Sequence, residues 1–226
     1  MSALYELQGV VQRYRGQAVL TIPELVIPRG RWTALVGANG AGKSTLLRLL
    51  ALVEQPSEGE IRFAGVRARE VGRTLRRRIG WVMQQPYLLQ GSALDNVLLG
   101  LKLHGVERRL RRRLALAALE EVGFGADPEQ PAAQLSGGQR QLVALARCLA
   151  LKPEVLLLDE PFNHLDVEAR RRLEGLLLRL VREQGISLVI SSHDRSFALA
   201  DEVVALASGR PVTAPLTNAV AENFYS

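Results

Sequence analysis

The stretch "WTALVGANGAGKST", residues 32–45, decides the fold. Its opening, "WTALVG", is a short apolar run of the kind that makes a buried strand, and the remainder fits the pattern G-x-x-x-x-G-K-[ST]. A strand that runs into closely spaced glycines and then a helix presents bare backbone N–H groups at the positive end of a helix dipole. Such groups wrap phosphate oxygens that side chains would otherwise block. The loop is Gly37, Ala38, Asn39, Gly40, Ala41 and Gly42; Lys43 neutralises the β and γ phosphates of a nucleotide such as ATP, and Thr45 ends the motif. Ser44 supplies an oxygen to Mg²⁺, a hard ion that keeps most of its waters and takes few protein ligands. A plain glycine-rich turn does not account for four fixed positions in a strand-to-helix context.

A nucleotide site of this kind needs a carboxylate from a second strand, and "EVLLLDEP" provides it. Asp159 stands where a buried parallel strand emerges, placed to hold Mg²⁺ through water. Glu160 is placed to polarise the attacking water. Without the phosphate loop, an Asp-Glu pair at a strand end reads as a helix cap or a solvated pair; with it, the two carboxylates take two roles.

The segment "QLSGGQRQLVALARCLALKP", residues 134–153, raises a different question. Ser136 followed three residues later by Gln139 fits a capping box, and Leu142, Leu145, Ala146 and Leu149 recur at helical spacing. The box explains the serine and the glutamine. It does not explain Gly137 and Gly138, each of which costs about 1 kcal/mol relative to alanine inside a helix. A backbone stripped of side chains at a helix N-terminus is again an anion site.

Around these motifs, four apolar runs read as buried strands: residues 32–37, 79–83, 154–160 and 187–192, with helical patterns between them. That alternation gives an α/β phosphate-loop NTPase core with a mostly parallel sheet. "LYELQGVVQRY", "VLTIPELVIP" and "GEIRFAGV" are turn-bounded and predict an antiparallel layer beside it. One domain over 1–226 is expected, with a core of 1–87 and 135–226 and an inserted helical subdomain over 88–134.

The chain's 226 residues are 47% hydrophobic and 23% charged, enough for a substantial core. No window approaches the ~18 apolar residues of a membrane span, and the start lacks a signal-peptide pattern. A single cysteine, Cys148, forms no intrachain disulfide and is expected to pack. The net charge of +6 comes from arginine runs at 73–80, 107–116 and 168–180. In the last two, arginines interleave with Leu110, Leu114, Leu173, Leu176 and Leu177, the pattern of amphipathic helices with solvated faces. No aromatic residues interleave to stack bases, so nucleic acid is not expected as a partner.

Taken together these residues resemble the ATP-binding cassette (ABC) ATPase family, over nearly the whole chain. "LSGGQRQ" resembles that family's signature and stands in the family's order, between the phosphate loop and Asp159. The resemblance implies that Tyr14 in "QRYRG" stacks on adenine. It implies that Gln84 in "WVMQQP" senses Mg²⁺ and a membrane partner, and that His193 in "SSHD" is a switch near the γ-phosphate. It also implies that two cassettes pack head to tail, so that Ser136, Gly137, Gly138 and Gln139 of one chain cap the γ-phosphate held by Lys43 of the other. The chain departs from the pattern at "FNHLD", where Asn163 and His164 replace the common small residues while Asp166, expected at the nucleotide, is retained.

The expected function is that of an ATP-hydrolysing homodimeric subunit. It sits peripherally on the cytoplasmic face of the inner membrane and serves separate membrane-spanning permease subunits. The compact cassette is most similar to bacterial importer subunits of the tungstate or molybdate oxyanion group, which would add a substrate-binding protein. Alternatives are an exporter and a non-transport ABC ATPase. A chromosome or repair ATPase would carry a long coiled coil, and the sequence has no sustained heptads.

Overall fold

A computed structural model of the chain describes residues 2–163, 165–192 and 199–212. The N-terminal strands β1 (Ala3–Tyr14) and β2 (Gln17–Pro28) pair antiparallel. The two residues between them, Arg15 and Gly16, both take positive φ (52° and 81°), as tight hairpins require. β3 (Trp32–Val36) is buried throughout and leads through the glycine loop into α1 (Lys43–Leu50). β4 (Glu58–Phe63) and the short β5 (Val66–Arg67) return to the first layer, giving a four-stranded antiparallel sheet in the order β2-β1-β4-β5.

After the one-turn α2 (Arg73–Arg76) and β6 (Ile79–Val82), the chain becomes helical: α3 (Ala93–Leu103), α4 (Arg108–Glu121) and α5 (Gly137–Leu149). β7 (Val155–Asp159), α6 (Val167–Arg182), β8 (Ser187–Ser192), β9 (Glu202–Ala207) and β10 (Arg210–Pro211) complete the described residues. The second sheet has six strands in the order β10-β9-β3-β8-β7-β6. Its five long strands are parallel and only β10 runs against its neighbour.

Alternate residues of the parallel strands divide the interior in two. Val155, Leu157 and Val189 face α1 and the antiparallel layer, whereas Leu156, Leu158, Leu188 and Ile190 face the side built by α3 to α6. Each face of the sheet is covered, which is why these strands read as continuous apolar runs. The expected strand over 154–160 is shorter: Glu160 lies beyond β7 at φ 49°, because the chain turns there and carries that side chain off the sheet. The amphipathic reading of α6 holds, with Leu173, Leu176 and Leu177 buried and the pairs Arg170–Glu174 and Arg172–Glu168 outside. On α4 the buried line is instead Ala115, Ala118 and Leu119. Leu114 is partly buried against the same core and Leu110 is half-buried.

Cys148 is a free thiol whose acidity burial suppresses, pushing its pKa up to about 11. Among the described residues no helix is long and apolar enough to cross a membrane.

Candidate functional site

The parallel sheet ends at two loops that together build a cleft. From β3, Gly37 turns the chain at φ 152°; a Cβ there would lie 2.3 Å from the Leu206 carbonyl oxygen on β9, so only glycine lets the loop pass the neighbouring strand. Gly40 and Gly42 also take positive φ, 81° and 100°. Ala41 is buried under the loop, its N–H donating to the Ala38 carbonyl at 3.1 Å. α1 begins at Lys43 without any side-chain cap, which leaves its first N–H groups directed at the loop's interior.

Lys43 is 5% exposed. Its ammonium donates to the carbonyls of Gly37 at 2.6 Å and Ala38 at 3.1 Å and stands 3.8 Å from Glu160 Oε1. Burial pulls its pKa below the ordinary value, while Glu160 and Asp159 pull the other way and favour the charged form. The result is a desolvated cation beside two carboxylates, a strong attractor for phosphate oxygens.

β7 delivers the carboxylates. Asp159 is buried and accepts from the Ser191 hydroxyl at 2.6 Å, its partner in the parallel register of β7 and β8. The same Ser191 oxygen accepts from the Glu160 N–H at 2.9 Å, so one serine fixes both positions. Glu160 Oε2 accepts from the Gln84 amide at 3.4 Å and from the Asn163 amide at 2.6 Å.

Tyr14, Asn39, Gly40, Gly42, Lys43, Ser44, Thr45, Gln84 and Glu160 line one cleft of about 540 Å³ together with Val19. Residues from five separate stretches of sequence thus meet at one opening. His193 and His164 lie outside the described residues. Val19, Ser191 and Asn163 also stand at this site, although no motif in the sequence marks them. For Ser191 the available signal was a polar pair closing an apolar strand; for Asn163 it was the departure at "FNHLD".

Ser136, Gly137, Gly138, Gln139 and Asp166 are elsewhere, along a second cleft of about 630 Å³ that shares no lining residue with the first. The capping box is complete: the Gln139 N–H donates to Ser136 Oγ at 3.2 Å and the Ser136 N–H to Gln139 Oε1 at 2.9 Å. Asp166 caps α6, accepting from the Ala169 N–H at 2.7 Å. Among the described residues, a Cβ at Gly137 would meet nothing within 4 Å, and one at Gly138 only the end of the Leu165 side chain at 3.1 Å. Neither glycine has positive φ. Among the described residues nothing requires glycine at 137, and little does at 138.

The family profile described as ABC transporter matches residues 20–163. The nickel import ATP-binding protein NikO of Rhodobacter capsulatus is 42% identical, over 95% of this chain and 89% of that protein. The aliphatic sulfonates import ATP-binding protein SsuB 1 of Rhizobium johnstonii is also 42% identical, over 92% of this chain and 75% of its own length. Among solved structures, a dimeric ATP-binding cassette in a post-hydrolysis state, bound to ADP and Pi, superposes with a TM-score of 0.84. It is 29% identical, with 92% of this chain and 96% of that chain covered.

Proposed function

The chain belongs to the ABC transporter family as an ATP-binding domain, and from that membership we infer that it hydrolyses ATP as one half of a homodimer that drives an importer. The observation that carries the dimeric mechanism is the pair of glycines at 137 and 138. Among the described residues the fold hardly needs them, and they sit at a helix N-terminus in a cleft separate from the one that holds Lys43. Bare N–H groups at such a place are useful to an anion that another molecule brings. Two chains related by a two-fold axis would place the first cleft of each against the second cleft of the other, completing two sites at once.

In this reading the loop from Gly37 to Gly42 wraps the phosphates of ATP, Lys43 leaves the Gly37 and Ala38 carbonyls for the β and γ phosphates, and Tyr14 stacks on the base. Glu160 orients the attacking water and accepts its proton. The oxygen chemistry fits Mg²⁺: a cleft-lining hydroxyl, Ser44, the Gln84 amide and one buried carboxylate, Asp159. When bound, the ion supplies charge neutralisation at the phosphates. Ser136, Gly137, Gly138 and Gln139 of the partner close over the γ-phosphate, and Asp166 flanks them. Closure therefore needs γ-phosphate and hydrolysis removes it, giving an ordered cycle of two states.

Import is supported by the relatives' names, which give chemically unlike cargos, nickel and aliphatic sulfonates. The shared sequence follows the ATP chemistry rather than the cargo. Membrane-spanning subunits, a substrate-binding protein and a place on the cytoplasmic face complete the reading. Residues 88–134 form the helical subdomain. Leu103, 68% exposed, borders a groove that Trp81, Leu89 and Leu99 also line, and Tyr87 is 70% exposed, apolar surface suited to a membrane subunit. Only three positions separate Tyr87 from Gln84, so movement at that surface reaches Glu160 through a short segment.

The test is Glu160→Gln, which preserves shape and removes the carboxylate. It should bind ATP, sediment as an ATP-stabilised dimer and show no turnover; ordinary turnover would remove Glu160 from its role.

A further inference from the structure

Asn163 stands three residues beyond Glu160 in the turn that leaves β7. Its N–H donates to the Glu160 carbonyl at 3.2 Å and closes the turn, which places the two side chains on the same side. Its amide then donates to Glu160 Oε2 at 2.6 Å, closer than the 3.4 Å of the Gln84 amide to the same oxygen. The acceptor is a carboxylate, so the donor is the amide nitrogen. A hydrogen bond to an ionised acceptor is the strong kind, and here the acceptor side chain is only 11% exposed.

These contacts divide the carboxylate. Oε2 is turned toward the two amides, and Oε1 toward Lys43 at 3.8 Å, outside hydrogen-bonding reach. The backbone of Glu160 is itself constrained, at φ 49° with its N–H held by Ser191. The backbone leaves the side-chain torsions open, and the Asn163 amide, at 2.6 Å, is a near group that opposes rotation of the carboxylate. A small residue at this position would have no amide to reach Oε2.

We propose that Asn163 is a positioning residue for hydrolysis, its amide fixing Glu160 Oε2 so that Oε1 is presented to the attacking water. The inference rests on the role given to Glu160 above. Because Asn163 does not line the nucleotide cleft, its removal acts on turnover and spares binding.

The experiment uses the purified full chain and measures kcat and KM for ATP in four variants. Asn163→Ala removes the donor, Asn163→Asp keeps the shape without an amide, Asn163→Gln keeps an amide on a longer stem, and Glu160→Gln is the reference. Asn163→Ala and Asn163→Asp should lower kcat by about tenfold or more while KM stays within about twofold. Asn163→Gln should recover most of the loss, which a purely structural role would not predict, and its melting temperature should match the parent. Parental kcat in Asn163→Asp, or a loss matched by a rise in KM, would overturn the proposal. If Glu160→Gln is inactive while Asn163→Asp is normal, positioning alone fails; if Glu160→Gln turns over normally, the role of Glu160 fails with it.

Discussion

Tyr14 is held by its own chain before any nucleotide arrives. Its hydroxyl donates to Glu54, and the Arg48 guanidinium lies 5.8 Å from its ring centroid. The ring is 37% exposed at the mouth of the cleft, oriented by a cation and a carboxylate rather than by packing. Tyr14→Ala should weaken ATP binding by about 1–3 kcal/mol, the range of an aromatic stacked on a base, whereas Tyr14→Phe should change it little. Calorimetric titration decides; an unchanged dissociation constant in Tyr14→Ala would leave an ordinary surface aromatic. At this scale the sequence is uneven. Lys43, Asp159 and Glu160 are legible because their motifs fix them to strand ends, and Tyr14 and Gln84 only through their order along the chain. Ser191 is not legible as a ligand of Asp159, since that contact depends on the register of two strands joined through α6. Asn163 is visible as a departure, but its reach to Glu160 depends on a positive φ that no residue type announces.

At the scale of elements, Asp201 ties three of them together. It precedes β9, accepts from the Trp32 N–H at 2.9 Å at the start of β3, and pairs with Arg31 and with Arg182 at the end of α6. Burial alone would raise its pKa, but the Trp32 N–H and the two arginines outweigh it and hold the carboxyl below the ordinary range. A depressed folded value means that the stabilisation is present above the unfolded value near pH 4 and is lost as pH falls through the folded one. Asp201→Asn should therefore cost about 1–3 kcal/mol at neutral pH, with a gap that narrows in acid. Urea melts at pH 7 and in the acid range test both parts; a gap independent of pH would contradict the assignment. The strand runs at 32–37, 79–83, 154–160 and 187–192 are legible because a sheet covered on both faces leaves no polar alternation. The spatial order β9-β3-β8-β7-β6 is not, because crossovers of helical length hide which strands become neighbours.

At the scale of the molecule, two of the clefts among the described residues would, in the proposed dimer, each supply half of a phosphate site. The first holds a buried cation, a glycine loop and Glu160; the second holds a capped helix N-terminus with two glycines that its own fold scarcely uses. The measurement that bears on this most directly mixes two broken chains. Lys43→Ala removes the charge from the first cleft, and Ser136→Arg fills the second. Each alone should fail to occlude labelled ATP in a closed dimer. In the mixed dimer one site is doubly broken, while the other joins the intact Lys43 of one chain to the intact Ser136 of its neighbour, and it should trap one nucleotide. A mixed dimer that demonstrably forms and traps none would contradict a site shared between chains, leaving Ser136 and its glycines as no more than the cap of α5.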